Sequence, residues 1–250
     1  MRRLLAIVAI IVLSFAPAAA QDEVNVVFVN SDPVVAVHSN FRGQTVTLFG
    51  SIEPGQGAPE GPYSVVVLVQ GPSSDWVVRE KGRQGGLVLN KAAARYAQAP
   101  SYYAVLSSSP LSQIAPPEVV DRQRLSFAGL AALTRQGDDL ASLDPEFVRL
   151  MRSAGNFIEA ERGVVMHSPT TFSARVPIDS NAVNGLYLAR ALIIADGKVI
   201  GETTTRFTVR TQDFERYVAN LATSNPPLYG LATILLALGT GWLGGMLFKR

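Results

Sequence analysis

The stretch YSVVVLVQG (63–71) is a nearly continuous apolar run that is rich in valine. A run this short, bounded by turn residues, is typical of a buried strand, because a buried helix is usually longer. The segment EPGQGAPEGP (53–62) precedes it and indicates a Pro/Gly loop. Before that loop, TVTLFGSI (45–52) alternates in part between apolar and polar residues. The centre of the domain is therefore predicted to be β-sheet.

Further strand-like segments lie on both sides of this pair. They share β-branched or aromatic content and are separated by turn residues: VNVVFV (24–29), WVV (76–78), LVLN (87–90), YYAVLSS (102–108), TTFSARVPI (170–178), LYLARALII (186–194) and KVIGETTTRFTVR (198–210). Asp196-Gly197 lies between the last two, and Asp-Gly is a strong signal for a hairpin turn. Many short strands with frequent turns favour a β-sandwich or barrel.

A helical insert is predicted at about 110–162, between the two groups of strands. Pro116-Pro117 opens it, and apolar residues follow at rough helical spacing: Val119, Val120, Leu125 and Leu130. A second helix is predicted from Pro145 to Ala160. Asp144 is its predicted cap, and Gly163 follows its end. Its predicted apolar face consists of Phe147, Leu150, Met151, Ala154 and Ile158.

This order predicts a mainly β fold over residues 21–211, an immunoglobulin-like β-sandwich with a helical insert. Asn184-Gly185-Leu186-Tyr187 precedes a predicted strand, as the corner tyrosine of such sandwiches does. A tyrosine that simply fills the core explains the same pattern equally well, and the sequence leaves both interpretations open.

Residues 1–20, MRRLLAIVAIIVLSFAPAAA, have the features of a signal peptide for Sec export. Arg2-Arg3 forms a positively charged start, Leu4 to Phe15 is a short apolar core, and Ala18-Ala19-Ala20 supplies the small residues that signal peptidase accepts. An uncleaved anchor is the alternative, but the core is shorter than the ~20 residues that span a bilayer. Cleavage is therefore the favoured interpretation.

A single transmembrane helix is predicted at 226–248, because Leu228 to Phe248 contains no charged residue and is long enough to cross a hydrocarbon core of ~30 Å. The tail, Lys249-Arg250, is expected to stay cytoplasmic by the positive-inside rule. Together with an exported N-terminus, this topology predicts a single-pass protein of a bacterial inner membrane, with residues 21–225 in the periplasm.

Two further helical patterns lie at and before the span. A short juxtamembrane amphipathic helix is predicted at 212–225 from the spacing of Phe214, Tyr217, Val218 and Leu221. Within the span, four small residues recur at every fourth position: Thr233, Ala237, Gly241 and Gly245. Small residues allow close approach of another helix, which predicts a helix–helix contact or a homo-oligomer. The alternative is that Gly and Ala are simply common in membrane helices.

The charge of the chain excludes the usual signature of a nucleic-acid-binding protein. The sequence pI is 9.0. Four of the 22 basic residues lie at the extreme ends, which leaves 22 − 4 = 18 against 20 acidic residues. A nucleic-acid-binding domain needs a basic patch or stripe. The nearest cluster, Trp76, Arg79, Lys81 and Arg83, predicts instead a partner surface, joined by Tyr96, Tyr102 and Tyr103. Alternating strand residues, with one face in the core, are the other interpretation.

No catalytic or metal-binding motif is present. The chain has no cysteine and only two histidines, His38 and His167, without a partner at helical spacing. Serine-hydrolase, zinc-protease and nucleotide-binding patterns are missing. The carboxylate pairs Asp138-Asp139 and Glu159/Glu161 are read as solvated. We therefore expect no cofactor, no metal and no enzymatic activity.

The chain resembles an alphaproteobacterial family of transmembrane proteins of unknown function. The matching stretches are FRGQTVTLFGSIEP (41–54), VVVLVQGPSSDWVVREKGRQGGLVLN (65–90), APSYYAVLSSSPLSQI (99–114) and the Pro-Pro-Leu-Tyr-Gly entry to the C-terminal span. The resemblance implies a membrane protein often encoded near permeases of the sulfite-exporter (TauE/SafE-like) type. It implies no catalytic residues, because none are assigned in the family.

Three functional hypotheses follow, and an enzyme is the least favoured of them because no catalytic motif supports it. The leading one is an accessory or interaction partner of a membrane transporter, with the external domain and the small-residue helix both in contact with that partner and the bilayer holding the chain. The alternative is a periplasmic module that binds a small solute or an oxyanion, which requires a concave pocket with donor groups.

Overall fold

The computed structural model describes residues 24–37, 43–55, 58–59, 61–84, 87–137, 140–211 and 221–247. The predicted signal peptide, most of the predicted juxtamembrane helix (212–225), His38 and the tail at 249–250 lie outside the described residues. The strands are β1 (Asn25–Asn30), β2 (Val34–Val37), β3 (Gln44–Glu53), β4 (Ser64–Gln70), β5 (Ser73–Gln84), β6 (Leu87–Pro100), β7 (Tyr103–Ser107), β8 (Arg135–Gln136), β9 (Phe157–Glu161), β10 (Val164–Met166), β11 (Thr171–Ile178), β12 (Gly185–Ala195) and β13 (Lys198–Thr211). The helices are α1 (Leu111–Ile114), α2 (Pro117–Arg122), α3 (Phe127–Thr134), a 3-10 turn (Ala141–Leu143), α4 (Asp144–Ser153) and α5 (Pro226–Leu247).

Two sheets form the sandwich. One has four strands in the order β1-β3-β11-β10, and the other has six in the order β2-β13-β12-β4-β7-β9. The first strand region is split, because β1 pairs antiparallel with β3 whereas β2 pairs parallel with β13. The two sheets also meet along one side, where the N–H of Val24 donates to the carbonyl of Ile200 at 3.4 Å. This order matches the two sheets of an immunoglobulin-like sandwich, with extra strands beside its GFC sheet. The predicted fold class is confirmed.

The apolar run in β4 is continuous because its sheet is covered on both faces. Val65, Val67 and Val69 face the four-stranded sheet and belong to the core between the sheets. Val66 and Leu68 point the other way, into a second core formed with the helical insert and the β5–β6 hairpin. All five are at most 1% exposed. The domain therefore has three layers, and only a strand in the middle layer reads as unbroken apolar sequence.

The turn chemistry follows the sequence signals. Asp196 and Gly197 have φ angles of 49° and 73°, so both occupy the left-handed region that a tight hairpin turn requires. The hydroxyl of Tyr187 donates to the carbonyl of Val183 at 3.0 Å, at the start of β12. This is the geometry of a tyrosine corner, and the same ring is also fully buried in the core. Both interpretations of Tyr187 are thus correct at once.

The prediction of a second helix from Pro145 to Ala160 is wrong in its C-terminal part. The helix α4 ends at Ser153, and Gly155 has a φ of 74°, which terminates the helix. The chain then forms β9, which includes Ile158 and pairs in parallel with β7. Leu150 and Ala154 are exposed rather than part of an apolar face. Gly163 lies between β9 and β10 and ends no helix.

Two further boundaries differ from expectation. The segments WVV (76–78) and LVLN (87–90) are parts of one long hairpin, β5–β6, with strands of 12 and 14 residues. The first helical stretch divides into α2 and α3 because Arg124, between them, has a φ of 58°. This left-handed residue interrupts the helix, so the apolar residues at helical spacing belong to two short helices.

The C-terminal helix α5 includes a candidate membrane span, Pro226–Met246, whose most apolar window is 0% buried. The carbonyl of Asn225 accepts the first helical hydrogen bond, from the N–H of Tyr229 at 3.1 Å, as an N-cap residue does. Large apolar side chains are exposed all along the helix, including Leu236, Leu238 and Trp242. A helix that is apolar on every side and unburied is suited to lipid.

Candidate functional site

The helical insert lines an open groove of about 1070 Å³ on the outer side of the second core. Its walls are mainly apolar and come from the insert: Leu111, Ile114, Pro116, Pro117, Val120, Leu125, Phe127, Pro145 and Val148. The strand β9 supplies Glu159 and Glu161, and the β12–β13 turn supplies Gly197. Pro116 lies 3.3 Å from the position of a Cβ at Gly197, so this glycine permits close packing of turn and helix.

Arg152 lies inside the groove and is already engaged. Its Nη2 donates to the Glu159 carboxylate at 2.5 Å, and its guanidinium carbon lies 4.8 Å from the centre of the Phe127 ring. A guanidinium over an aromatic face gains cation–π attraction while keeping its salt bridge. Both side chains of the ion pair remain about half exposed, at 51% and 43%. The pair fixes α4 against β9 and neutralises Glu159.

Asp144 connects the groove to the base of the β5–β6 hairpin. Its carboxylate accepts from the hydroxyl of Tyr96 at 3.0 Å and pairs with the guanidinium of Arg135. The Arg135 and Asp144 side chains are only 10% and 14% exposed. Tyr96 in turn stacks on Phe147 with ring centres 3.9 Å apart. Burial, followed by the hydrogen bond to Asp144, raises the pKa of Tyr96 above its usual value, so the hydroxyl stays a donor.

Asp144 was predicted to cap a helix, and its structural role is different. It occupies the first position inside α4, after Leu143, and its side chain makes no cap hydrogen bond. The carboxylate is used for Tyr96 and Arg135 instead. A carboxylate in the first turn still interacts favourably with the helix dipole.

The charge of the groove lining is negative. Among the described residues, four carboxylates line it, from Asp121, Asp144, Glu159 and Glu161, against one cation, Arg152. Asp144 is paired with Arg135, and Glu159 with Arg152. Asp121 and Glu161 form no salt bridge within the described part of the chain. An apolar groove with two such carboxylates favours a ligand that carries both apolar and cationic groups.

The structure divides the predicted partner surface of β5. Trp76 packs partly into the second core, and its buried indole N–H has no hydrogen-bond partner among the described residues. Arg79 and Lys81 are exposed, and the side chain of Arg83 lies outside the described part. The tyrosines that were predicted to join this surface, Tyr96, Tyr102 and Tyr103, are at most 3% exposed and belong to the two cores, so that part of the prediction is wrong.

The four small residues of the membrane helix keep their predicted spacing but contact no partner here. Thr233 donates its hydroxyl to the carbonyl of Tyr229 at 2.7 Å, inside the helix. A Cβ at Gly241 or Gly245 meets nothing within 4 Å. The face formed by Thr233, Ala237, Gly241 and Gly245 is therefore open to another helix, and the contact stays a prediction.

The described residues contain no group of three or more His, Asp or Glu that could hold a metal ion. His167 instead contacts the Ser173 hydroxyl, with Nε2 to Oγ at 2.7 Å. The sequence pattern placed Glu159 and Glu161 at the end of a helix, whereas both lie on the strand β9. The signal that could have found them is Gly155 followed by FIEAE (157–161), which alternates as a strand does.

A family model described as "Putative transmembrane protein (Alph_Pro_TM)" matches residues 25–250. The chain belongs to this transmembrane family. The match confirms the resemblance to this family seen in the sequence, and it covers both the β-rich domain and the candidate span of this chain. The curated proteins and the solved structures gave no match.

Proposed function

We propose that this Alph_Pro_TM protein is a membrane-tethered interaction module, an accessory to another membrane protein, and that its insert groove is the docking site. The observation that carries the proposal is the groove itself, with apolar walls and with Asp121 and Glu161 outside any salt bridge among the described residues. Exposed carboxylates beside an apolar surface suit a partner with complementary charge.

The proposal includes the topology expected from the sequence, with residues 21–225 on the periplasmic side of the inner membrane. It is supported by the charged start and small-residue end of 1–20, by the positive tail after the span, and by the unburied apolar helix. A tether of this kind confines the domain to a layer close to the bilayer. A partner in the same membrane, such as a permease, then meets the groove at high effective concentration.

The charge of the groove bears on the alternative, a module that binds small solutes. An oxyanion would be repelled by Asp121 and Glu161, and Arg152 is already paired with Glu159. A small organic cation remains the second candidate, since the same two carboxylates would attract it. We favour a protein partner because the groove is open and the chain is fixed in a membrane where partners diffuse.

Photocrosslinking in native membranes tests the proposal. A photoreactive amino acid at Ser112, on the exposed rim of the groove, is expected to capture a specific protein. The matched control is the same amino acid at Thr171, which is exposed on the four-stranded sheet. Capture from Ser112 and not from Thr171 supports docking in the groove. Equal yields from both positions, or none from Ser112, would contradict it.

The contribution of the membrane helix to partner binding can be measured separately from that of the external domain. If Gly241→Leu/Gly245→Leu lowers the yield from Ser112, the small-residue face also holds the partner. If the yield is unchanged, the external domain alone carries the contact. Titration of the purified protein with small organic cations tests the solute-binding alternative. Saturable binding of such a cation, together with no protein captured from Ser112, would favour that alternative.

A further inference from the structure

The six-stranded sheet is only partly covered on the face that bears the helical insert. The insert and the β5–β6 hairpin pack over β4, β7 and one half of β12, where Leu192 and Ile194 are buried in the second core. In the other half of β12, Leu186 and Leu188 point to the same side, because alternate residues of a strand share a face. These two leucines are 45% and 42% exposed. The insert therefore leaves this part of the sheet open.

The neighbouring strands extend the open surface. Leu188 pairs with Arg206, and Leu186 pairs with Thr208, across β12 and β13. Thr208 is aligned in turn with Val34 of the edge strand β2. Residues aligned across a sheet share a face, so Val34 lies beside the two leucines, and it is 53% exposed. Three large apolar side chains are thus exposed together.

This apolar surface carries unpaired positive charge. Arg210 follows Arg206 and Thr208 at alternate positions of β13 and so points to the same side. Arg206 and Arg210 are exposed, and neither forms a salt bridge with another described residue. We call this surface the open face and define it by Val34, Leu186, Leu188, Arg206 and Arg210.

The border between the open face and the insert adds further positive charge. Arg190, next along β12, donates from Nη2 to the carbonyl of Gln123 at 2.6 Å and pairs through Nη1 with Glu202 at 3.4 Å. The carboxylate of Glu202 is therefore already engaged. Arg122 and Arg124, on either side of Gln123, are exposed and form no salt bridge within the described part of the chain. The surface as a whole is cationic and apolar.

The strand that carries the two arginines of the open face is also the strand that leads to the membrane helix. Thr211 ends β13 and Pro226 begins α5, which places them 226 − 211 = 15 residues apart. Even a fully extended chain of that length spans no more than about 50 Å. The open face is therefore held within reach of the bilayer, and a lipid surface is present around it at high effective concentration.

We propose that the open face rests on the surface of the membrane that holds α5, where its arginines bind the phosphates of anionic lipids. The guanidinium group matches phosphate in geometry and charge, and Arg206 and Arg210 have no carboxylate to compete for them among the described residues. An exposed apolar patch flanked by cations suits the boundary between headgroups and acyl chains, so Val34, Leu186 and Leu188 insert there.

This docking goes beyond the proposed function and leaves the groove accessible. The groove is lined by β9, at the edge of the sheet opposite to β2, and by Gly197, at the opposite end of β12 from Leu186. A domain that lies on its open face therefore keeps the groove away from the lipid. The orientation of the groove toward a partner is then fixed, whereas a domain on a free tether would sample all orientations.

Depth-dependent quenching of a fluorophore tests the contact, because the chain contains no cysteine and a single one can be labelled. Full-length Leu188→Cys, labelled and reconstituted in nanodiscs of equal parts phosphatidylglycerol and phosphatidylcholine, is expected to be quenched by nitroxide-bearing lipids. The matched control is Val27→Cys, which replaces a residue 46% exposed on the four-stranded sheet. We expect quenching to be at least about fivefold stronger at position 188. Equal quenching at both positions, or none at 188, would overturn the proposal.

The role of the arginines is tested in the same nanodiscs. Arg206→Gln/Arg210→Gln is expected to lower the quenching at Leu188→Cys by about fivefold or more, and Arg206→Lys/Arg210→Lys to retain most of it. Arg175→Gln, which removes an exposed cation from the four-stranded sheet, is expected to change nothing. Nanodiscs of phosphatidylcholine alone are expected to reproduce the loss. Quenching that persists without the two arginines, or without anionic lipid, would overturn the arginine–phosphate contact.

A protein partner is the other possible occupant of the open face. A photoreactive amino acid at Leu186 in native membranes is expected to crosslink to lipid. Capture of a protein from Leu186, together with no quenching at Leu188→Cys, would overturn the proposal. Crosslinking from Ser112 reports on the groove separately, so failure of membrane docking and failure of the proposed function are distinguishable.

Discussion

The hydroxyl of Tyr187 holds the turn before β12 against the strand, through its hydrogen bond to Val183 at 3.0 Å. The ring stacks on Phe207 with centres 5.3 Å apart, so the residue also fills the core. Tyr187→Phe keeps the ring and removes the bond, and we expect it to lower the free energy of unfolding by about 1 kcal/mol. Urea unfolding of the full-length protein in detergent measures the change.

A matched control is available at Tyr63, whose hydroxyl donates to the carbonyl of Pro59 at 2.7 Å. The sequence separation and bond type are the same, but this corner precedes β4. A similar loss of unfolding free energy for Tyr63→Phe would indicate that each tyrosine hydrogen bond stabilises its own turn. No loss for Tyr187→Phe would show that packing alone holds its turn.

A second prediction at the residue scale compares two ion pairs near the hairpin. Arg135–Asp144 is buried, with side chains 10% and 14% exposed, whereas Arg95–Asp75 is 57% and 48% exposed. Asp144→Ala deprives Arg135 and Tyr96 of this carboxylate in a dry environment, which is expected to cost about 3 kcal/mol. Asp75→Ala is expected to have only a small effect, because solvent already screens that pair. Equal losses in urea unfolding would contradict this ranking.

At the scale of elements, the β5–β6 hairpin has a buried base, formed by Val78 and Ala94, and a distal part that begins at a bulge. The bulge between Glu80 and Lys81 marks the division. We expect that replacing 81–91 by Asn-Gly, which joins the register pair Glu80 and Ala92, changes stability by less than about 0.5 kcal/mol. Thermal unfolding of the full-length protein measures this change.

The control for this truncation is Val78→Ala, at the buried base of the same hairpin. Val78 is 6% exposed and packs in the second core, so its truncation is expected to cost roughly 1–2 kcal/mol. If the shortened hairpin destabilises the domain more than Val78→Ala does, residues 81–91 contribute to the stability of the fold.

The elements were predictable where one signal was strong and local. The strands β4, β11, β12 and β13 follow from apolar runs or alternation, and the Asp196-Gly197 turn from its dipeptide. The end of α4 was missed because Ile158 lies at a helical spacing from Phe147 and Met151. Gly155, which actually ends the helix, competes with that pattern in the sequence.

The groove could not be predicted from any one segment. It depends on α2 and α4 packing beside β9, the edge strand of the six-stranded sheet, and no local pattern predicts this arrangement. The parallel pairing of β9 with β7, across the whole helical insert, is a long-range event. Trp76 and the tyrosines illustrate the same limit, since aromatic residues near basic ones suit a surface or a core equally well until the layers are known.

At the scale of the whole molecule, burial of tyrosine links stability to alkaline pH. Burial raises the pKa of Tyr187 to about 12 and also raises the pKa of Tyr96, Tyr102 and Tyr103, from an ordinary value of about 10. Below about pH 10, folded and unfolded chains keep these protons and stability is full. As the pH rises above about 10, the tyrosines of the unfolded chain ionise while those of the folded chain keep their protons. Each such tyrosine then lowers the free energy of unfolding by up to about 1.4 kcal/mol per pH unit, until the pH passes its folded-state pKa.

We therefore expect cooperative alkaline unfolding, with tyrosine ionisation and loss of strand signal in one transition. Tyrosinate absorbance and circular dichroism, recorded together on the full-length protein, check this. Tyr102→Phe removes one of these protons and is expected to make the transition less steep. The chain has seven tyrosines, so ionisation of more than three of them well below the loss of strand signal would contradict the burial argument.

The membrane helix determines on which side of the membrane the groove lies. This orientation is the most consequential prediction for the whole molecule. The signal-peptide-like pattern of residues 1–20, the basic pair Lys249-Arg250 and the unburied apolar helix together predict that the domain lies outside the inner membrane. Since the chain has no cysteine, Thr171→Cys is expected to react in intact cells with a maleimide that passes the outer membrane but not the inner one. Lys249→Cys is expected to react only after the inner membrane is opened. The reverse pattern would place the groove in the cytoplasm, where a periplasmic partner could not reach it.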